Sequence, residues 1–145
     1  MSREFDVVVV GGGMVGAALA CLLAESDAGL RVAVLEAREP PPFDPDGPVG
    51  NRVSAIARGS MRILAACGVW EEIARRRVSP YREMRVWDAG DQPDGPSALH
   101  FDSAELGEPD LGAIVENALI QWALADRLRA SPAVSWLAPA RLGAL

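Results

Sequence analysis

Histidine and cysteine are scarce in this 145-residue chain, which has one histidine, His100, and two cysteines, Cys21 and Cys67. A histidine-based catalytic triad or a zinc cluster has nothing to build on, and no metal site is expected. The cysteines stand far apart in sequence, each among apolar residues. That pattern suits buried thiols of a reduced cytoplasmic protein and gives no disulfide framework. His100 reads as a strand-end side chain. Positive charge is also short: 14 Lys and Arg against 20 Asp and Glu leave a net charge of −6. Phosphate binding on a nucleic acid calls for a basic surface, so no nucleic-acid partner is expected. The run Arg75-Arg76-Arg77 follows Glu71 and Glu72 and reads as the solvated last turn of a helix, complementing its dipole.

A membrane-spanning or signal segment is not expected either. Val7 to Ala24 is uncharged and approaches the length of either, but Gly11-Gly12-Gly13 would break a helix in its middle. Arg3 is offset by Glu4 and Asp6, so there is no positive flank.

What is present is centred on the run from Phe5 to Gly16. Val7 to Val10 is β-branched and charge-free, as expected of a parallel strand buried on both faces, and Ala17 to Leu23 supplies helix formers. Gly11, Gly13 and Gly16 fall between them at G-x-G-x-x-G spacing. Gly11 would permit a tight turn, Gly13 the approach of a pyrophosphate to the backbone, and Gly16 close packing of helix on strand. The helix N-terminus would face the phosphates with its unpaired N–H groups. A second strand, Arg31 to Leu35, ends on Glu36, twenty positions after Gly16. There a carboxylate can accept both ribose hydroxyls of an adenosine and would repel a 2′-phosphate. This favours FAD or NAD over NADP, although Arg38 lies close by.

Half of the residues are hydrophobic, enough for the core of one domain. Pro40 to Pro48 reads as a surface loop. Arg52 to Ile56 is a short ordered segment, and helices are expected over Ser60–Ala66, ended by Gly68, and over Trp70–Arg76, with Ile73 inward and the arginines outward. Strands are expected over Met84–Trp87 and Leu99–Phe101, separated by an acidic Gly/Pro-rich loop. This antiparallel insertion, around 81–112, departs from a βαβ repeat and suggests the start of a second sheet. Ile114 to Leu128 shows helical spacing, Val134 to Leu137 reads as a strand, and Arg141 to Leu145 as the beginning of another. Trp70, Trp87, Trp122 and Trp136 read as core or interface anchors rather than flavin-stacking groups.

Several blocks stand in order along nearly the whole chain: VVGGGMVGAA from Val9, RVSAI from Arg52, CGVW from Cys67, Pro80-Tyr81-Arg82, Val86-Trp87-Asp88 and IVEN from Ile114. With them the chain resembles the N-terminal part of the ubiquinone-biosynthesis hydroxylases, which act on polyprenylated phenols within the flavin-dependent aromatic hydroxylases. Cys67 stands where that family more often has leucine.

The resemblance implies an α/β fold: a Rossmann-like, glutathione-reductase-like FAD-binding domain, incomplete here, with the start of an antiparallel substrate-domain sheet. It also implies FAD as cofactor and NADH or NADPH as electron donor. The expected activity is O2-dependent hydroxylation of an aromatic ring. Carried over by position, Gly11, Gly13 and Gly16 match the pyrophosphate turn, Glu36 the ribose acid, and Arg52 an arginine that reaches the cofactor. An ordinary surface salt bridge would also account for Arg52. Asn117 matches a polar side chain set against the cofactor, and would equally suit a helix cap. Gln121 lies one turn on, on the same face.

No catalytic residue is assigned. Two later flavin motifs of the family, an Asp-Gly pair and a Gly-Asp-Ala segment, have no counterpart, so little or no hydroxylase activity is expected of this chain alone. The alternative is a non-catalytic dinucleotide-binding or subunit-interaction module. Greasy substrates leave room for peripheral membrane contact, for contact with a ubiquinone-biosynthesis complex and for a homo-oligomer. An NAD-dependent dehydrogenase would share the turn and Glu36 but leaves RVSAI and IVEN unexplained.

Overall fold

A computed structural model describes residues 4–44 and 47–143; Arg3, residues 45–46 of the proline-rich loop and residues 144–145 lie outside the described residues. The elements run β1 (Val7–Val10), α1 (Met14–Ala24), β2 (Val32–Leu35), β3 (Val53–Ala57), α2 (Arg58–Ala66), α3 (Trp70–Arg76), β4 (Val78–Tyr81), β5 (Glu83–Val86), β6 (Leu99–Asp102), β7 (Gly112–Glu116), α4 (Asn117–Ala130) and β8 (Val134–Leu137), with a 3-10 turn at Ser103–Leu106. Residues 141–143 form no strand.

The glycine-centred unit folds as its sequence predicts: strand, turn, helix, parallel strand. β2 is central, pairing with β1 from Val7↔Val32 to Val10↔Leu35 and with β8 from Val32↔Val134 to Leu35↔Leu137, all parallel. The alternating side chains Val9, Val32 and Val34 point to one face, where they join Ala17, Ala20 and Cys21 of α1 and Leu119, Ala123 and Leu124 of α4 in one apolar core. The small residues Ala17 and Ala20 let α1 lie close to the sheet. On the other face Val8 and Val10 are 50% and 60% exposed. β1 is therefore an edge strand covered on one side only, where the valine run predicts burial on both.

A second, antiparallel sheet has β7 between β3 and β4, with Ser54↔Val115 and Ser79↔Ile114 in register. Ile114 to Glu116 is thus strand, and the expected helix over 114–128 begins only at Asn117. Ile114 and Val115 are β-branched and flanked by partners on both sides, so sheet pairing wins over a helical spacing that their neighbours share only in part. β4 has no counterpart in the sequence reading. Pro80 hides it, because proline signals a break, yet on an edge strand the missing N–H costs no ladder bond.

β5 and β6 form a separate two-stranded ribbon with Met84↔Phe101 and Val86↔Leu99 in register. These four side chains share one side and are 43–59% exposed. Among the described residues no helix is long and apolar enough to cross a membrane.

Candidate dinucleotide site

Gly11, at the end of β1, has φ +103°, a conformation open to glycine and strained for other residues. A Cβ on Gly16 would lie 2.0 Å from the Gly11 carbonyl oxygen, so strand end and helix start touch there without room for a methyl group. A Cβ on Gly13 would meet nothing within 4 Å. The three glycines thus serve three needs: Gly11 the positive-φ turn, Gly16 the close approach of helix to strand, and Gly13 an open space at the start of the helix.

Gly13 is the N-cap of α1 and has no side chain to cap with, and the first turn carries no acid. The first intrahelical bond is Ala17 N–H to the Gly13 carbonyl, 2.8 Å. The preceding N–H groups and the positive end of the dipole are therefore available to an anion.

Glu36 reaches the turn from the end of β2. Its Oε2 accepts the Gly12 N–H at 2.7 Å and its Oε1 accepts the Arg38 N–H at 3.1 Å. Gln121 of α4 donates from Nε2 to the Gly12 carbonyl at 2.8 Å. Gly12 is thus held at both of its backbone polar groups. Beneath it the Trp136 ring is so close that a Cβ on Gly12 would lie 2.6 Å from it. Trp136, read as a core anchor, is also the floor of the glycine turn.

Gly13, Glu36, Arg38, Asn117, Gln121 and Trp122, with Pro40 and Pro41, line a cleft of about 360 Å³. The parallel-sheet unit supplies the glycine turn and the acid, and α4 supplies the amides. Of the residues singled out in the sequence, Gly13, Glu36 and Asn117 meet in this cleft with Arg38 and Gln121, whereas Gly11, Gly16 and Arg52 do not line it.

Asn117 does not cap its helix. Glu116 occupies the N-cap, and Asn117 Oδ1 instead accepts from the Ser54 hydroxyl at 2.6 Å. Arg52 stands beside Asn117, whose N–H donates to the Arg52 carbonyl at 3.0 Å. The Arg52 side chain is exposed and has no hydrogen-bond or ion-pair partner among the described residues, so the salt-bridge explanation has no partner to rest on.

Two further groups escaped the sequence reading. Trp122 forms a wall of the cleft, packed on Phe43 at 5.8 Å between ring centroids, with Arg76 over its ring at 4.6 Å. Its place shows only once α4 is known to start at Asn117, which puts Gln121 and Trp122 one turn on. The arginine run also divides. Arg75 and Arg76 pair with Glu72, but Arg77 turns inward to Glu116, contrary to the solvated last turn expected of all three. Arg77 lies past the end of α3 in extended backbone, which carries its side chain away from the helix surface.

The model of the FAD binding domain family matches residues 4–134. The chain is similar to the 3-demethoxyubiquinol 3-hydroxylase of Escherichia coli, 41% identical over 144 residues, covering 99% of this chain and 35% of that protein. It is similar to the ubiquinone biosynthesis monooxygenase COQ6 of Xenopus tropicalis, 44% identical over 129 residues, covering 86% and 26%. The ubiquinone hydroxylase UbiL of Rhodospirillum rubrum is 41% identical over 140 residues, covering 97% and 30%. The chain thus spans about a third of the length of these relatives. Among solved structures, p-nitrophenol 4-monooxygenase PnpA of Pseudomonas putida superposes with a TM-score of 0.65 at 24% identity, covering 94% of this chain and 32% of that one. A quadruple mutant of PqsL of Pseudomonas aeruginosa gives 0.67 at 22%, covering 93% and 33%. At these identities the structures share the fold.

Proposed function

The chain belongs to the FAD binding domain family, and from that premise we propose that it grips the ADP half of FAD for an aromatic-ring monooxygenase. The observation that carries the reading is the open space at Gly13, at the bare N-terminus of α1, with the Glu36 carboxylate on the same cleft.

The residues suit the group. The α1 N–H groups and dipole bind the pyrophosphate, with Gly13 allowing its close approach. Each Glu36 oxygen has a lone pair beyond the one given to Gly12 or Arg38, enough to accept the ribose hydroxyls. Arg52, exposed and unpaired, offers five donors to a phosphate or ribose oxygen, and Asn117 brings an amide to the same side. When bound, FAD supplies the redox chemistry with O2; the chain binds and orients it.

The longer proteins to which this chain is similar include a 3-demethoxyubiquinol 3-hydroxylase and a ubiquinone biosynthesis monooxygenase. The proposed substrate is accordingly a polyprenylated phenol, and the proposed electron donor is NADH or NADPH. The apolar side of the β5–β6 ribbon suits the beginning of a substrate domain over residues 81–112. A lipid-soluble substrate also fits a cytoplasmic protein with peripheral membrane contact.

Titration of FAD with the purified chain, followed by flavin fluorescence with ADP as competitor, tests the reading. Saturable binding displaced by ADP is the expected result. Failure of a folded chain to bind either nucleotide would overturn it. ADP binding without FAD binding would favour a plain dinucleotide or subunit-interaction module.

A further inference from the structure

The loop that leads into Arg52 is held by one ion pair, a buried acid with a partly buried arginine. Glu116, at the junction of β7 and α4, has a side chain only 6% exposed. Its Oε1 accepts the Gly50 N–H at 2.7 Å, and its Oε2 lies 3.0 Å from Arg77 Nε. The other two guanidinium nitrogens of Arg77 donate to backbone carbonyls of the same loop, Nη1 to Gly47 at 2.8 Å and Nη2 to Asp44 at 3.3 Å. The guanidinium also lies over the Phe43 ring at 5.2 Å. A single charge pair therefore ties Phe43, Asp44, Gly47 and Gly50 to the start of α4. Two residues on, the Arg52 carbonyl accepts from Asn117, and Ser54 bonds the Asn117 side chain. The backbone is fastened on both sides of Arg52, while its guanidinium is left without a partner.

Burying a charge pair is expensive, and apolar residues of similar volume often hold a fold as well or better. What apolar packing cannot do is grip three backbone polar groups of an irregular loop at once. We propose that Glu116 and Arg77 are positioning residues: their pair sets where Arg52 stands, so that its free guanidinium is pre-aimed at an anionic part of the dinucleotide. The proposal rests on the FAD-binding reading above. Pre-aiming saves the ordering of a long side chain and its loop on binding, so the pair raises affinity without touching the ligand.

The test has two arms. In the first, amide hydrogen exchange is compared in the ligand-free wild type, Arg77→Lys and Glu116→Gln; Lys keeps the charge and Gln keeps an acceptor, so both variants hold the fold better than a deletion. Exchange at 47–52 should quicken in both while the amides of α1 stay protected. Unchanged exchange at 47–52 would overturn the proposal whether or not the chain binds FAD. If even these variants unfold, the comparison is repeated in an osmolyte such as TMAO, which favours the folded state without occupying the site.

In the second arm, FAD affinity is measured for each variant alone and in an Arg52→Ala background. The pair's variants should weaken binding about tenfold with Arg52 present and less than twofold without it, because the effect passes through Arg52. Equal losses in both backgrounds would mean a merely structural pair and would overturn the proposal. A wild-type chain that binds no FAD, with faster exchange in the variants, would instead remove the FAD reading and leave the hold on the loop intact.

Discussion

Glu36 is hydrogen-bonded to Gly12, its Oε2 accepting the backbone N–H at 2.7 Å, so the acid proposed to hold the ribose is also bonded into the turn proposed to hold the phosphates. One side chain couples the two halves of the site. Glu36→Ala removes a buried-side acceptor from Gly12 and two acceptors from the ligand, and should weaken FAD binding by about tenfold or more. Glu36→Gln keeps one acceptor and loses the charge. Its effect should be clearest in selectivity: the wild type should prefer 5′-AMP to 2′-phosphoadenosine 5′-phosphate, which differ only at the 2′ position, and the variant should narrow that preference, since Arg38 beside it can then serve the extra phosphate. Competition titrations read both. Equal affinity of the wild type for the two nucleotides would remove Glu36 from the ribose.

The glycines divide in a way that binding and stability can separate. Gly13→Val adds atoms where the chain has none, so its melting temperature should stay near that of the wild type while FAD affinity collapses. Gly16→Ala puts a methyl group 2.0 Å from the Gly11 carbonyl oxygen. That clash should cost about 1–3 kcal/mol and lower the melting temperature by roughly 3–10 °C with or without ligand. A destabilised Gly13→Val would mean that the space at Gly13 serves the fold.

Asn117 and Ser54 give a cleaner test of the amide's role. Since Glu116 is the N-cap, Asn117→Ala loses the Ser54 hydrogen bond but no helix cap. Each single variant, Asn117→Ala and Ser54→Ala, should cost about 1 kcal/mol, and the double variant little more than either. FAD affinity should fall further for Asn117→Ala than for Ser54→Ala, because only Asn117 lines the cleft. Equal losses of affinity would leave Asn117 a purely structural partner of Ser54.

Legibility followed the range of the interactions. The β1–α1–β2 unit was readable because its strand, turn and helix signals lie within thirty residues and agree with one another, and Glu36 falls where that unit puts a strand end. What went unread depends on distant partners. Ile114–Glu116 becomes strand because β3 and β4 flank it, and Val8 and Val10 are exposed because β1 is an edge, neither of which local pattern reports. Arg77 looked like one of three equal arginines until extended backbone turned it toward Glu116. Gln121, Trp122 and Trp136 reach the turn from segments more than a hundred residues beyond it, and only Gln121 was noticed, by its helical offset from Asn117.

Cys21 and Cys67, remote in sequence, meet behind α1, where the Cys67 thiol lies 3.6 Å from the Ala18 carbonyl oxygen. Burial pushes the Cys21 thiol up to about 12, helped by the neighbouring Cys67, and burial also raises Cys67. Both thiols are thus protonated in the fold at pH values where the unfolded chain ionises them. Above the ordinary thiol value near 9 the unfolded state binds fewer protons than the folded one, so stability falls as pH rises from about 9 toward 12 and is undiminished by this pair below it. Cys21→Ala should flatten that slope in urea midpoints measured across the alkaline range. The same burial should keep both thiols unreactive to iodoacetamide at pH 8 until the chain is unfolded. Rapid alkylation of the native chain would mean that α1 and the end of α2 part readily, and the alkaline slope should then be shallow in the wild type as well.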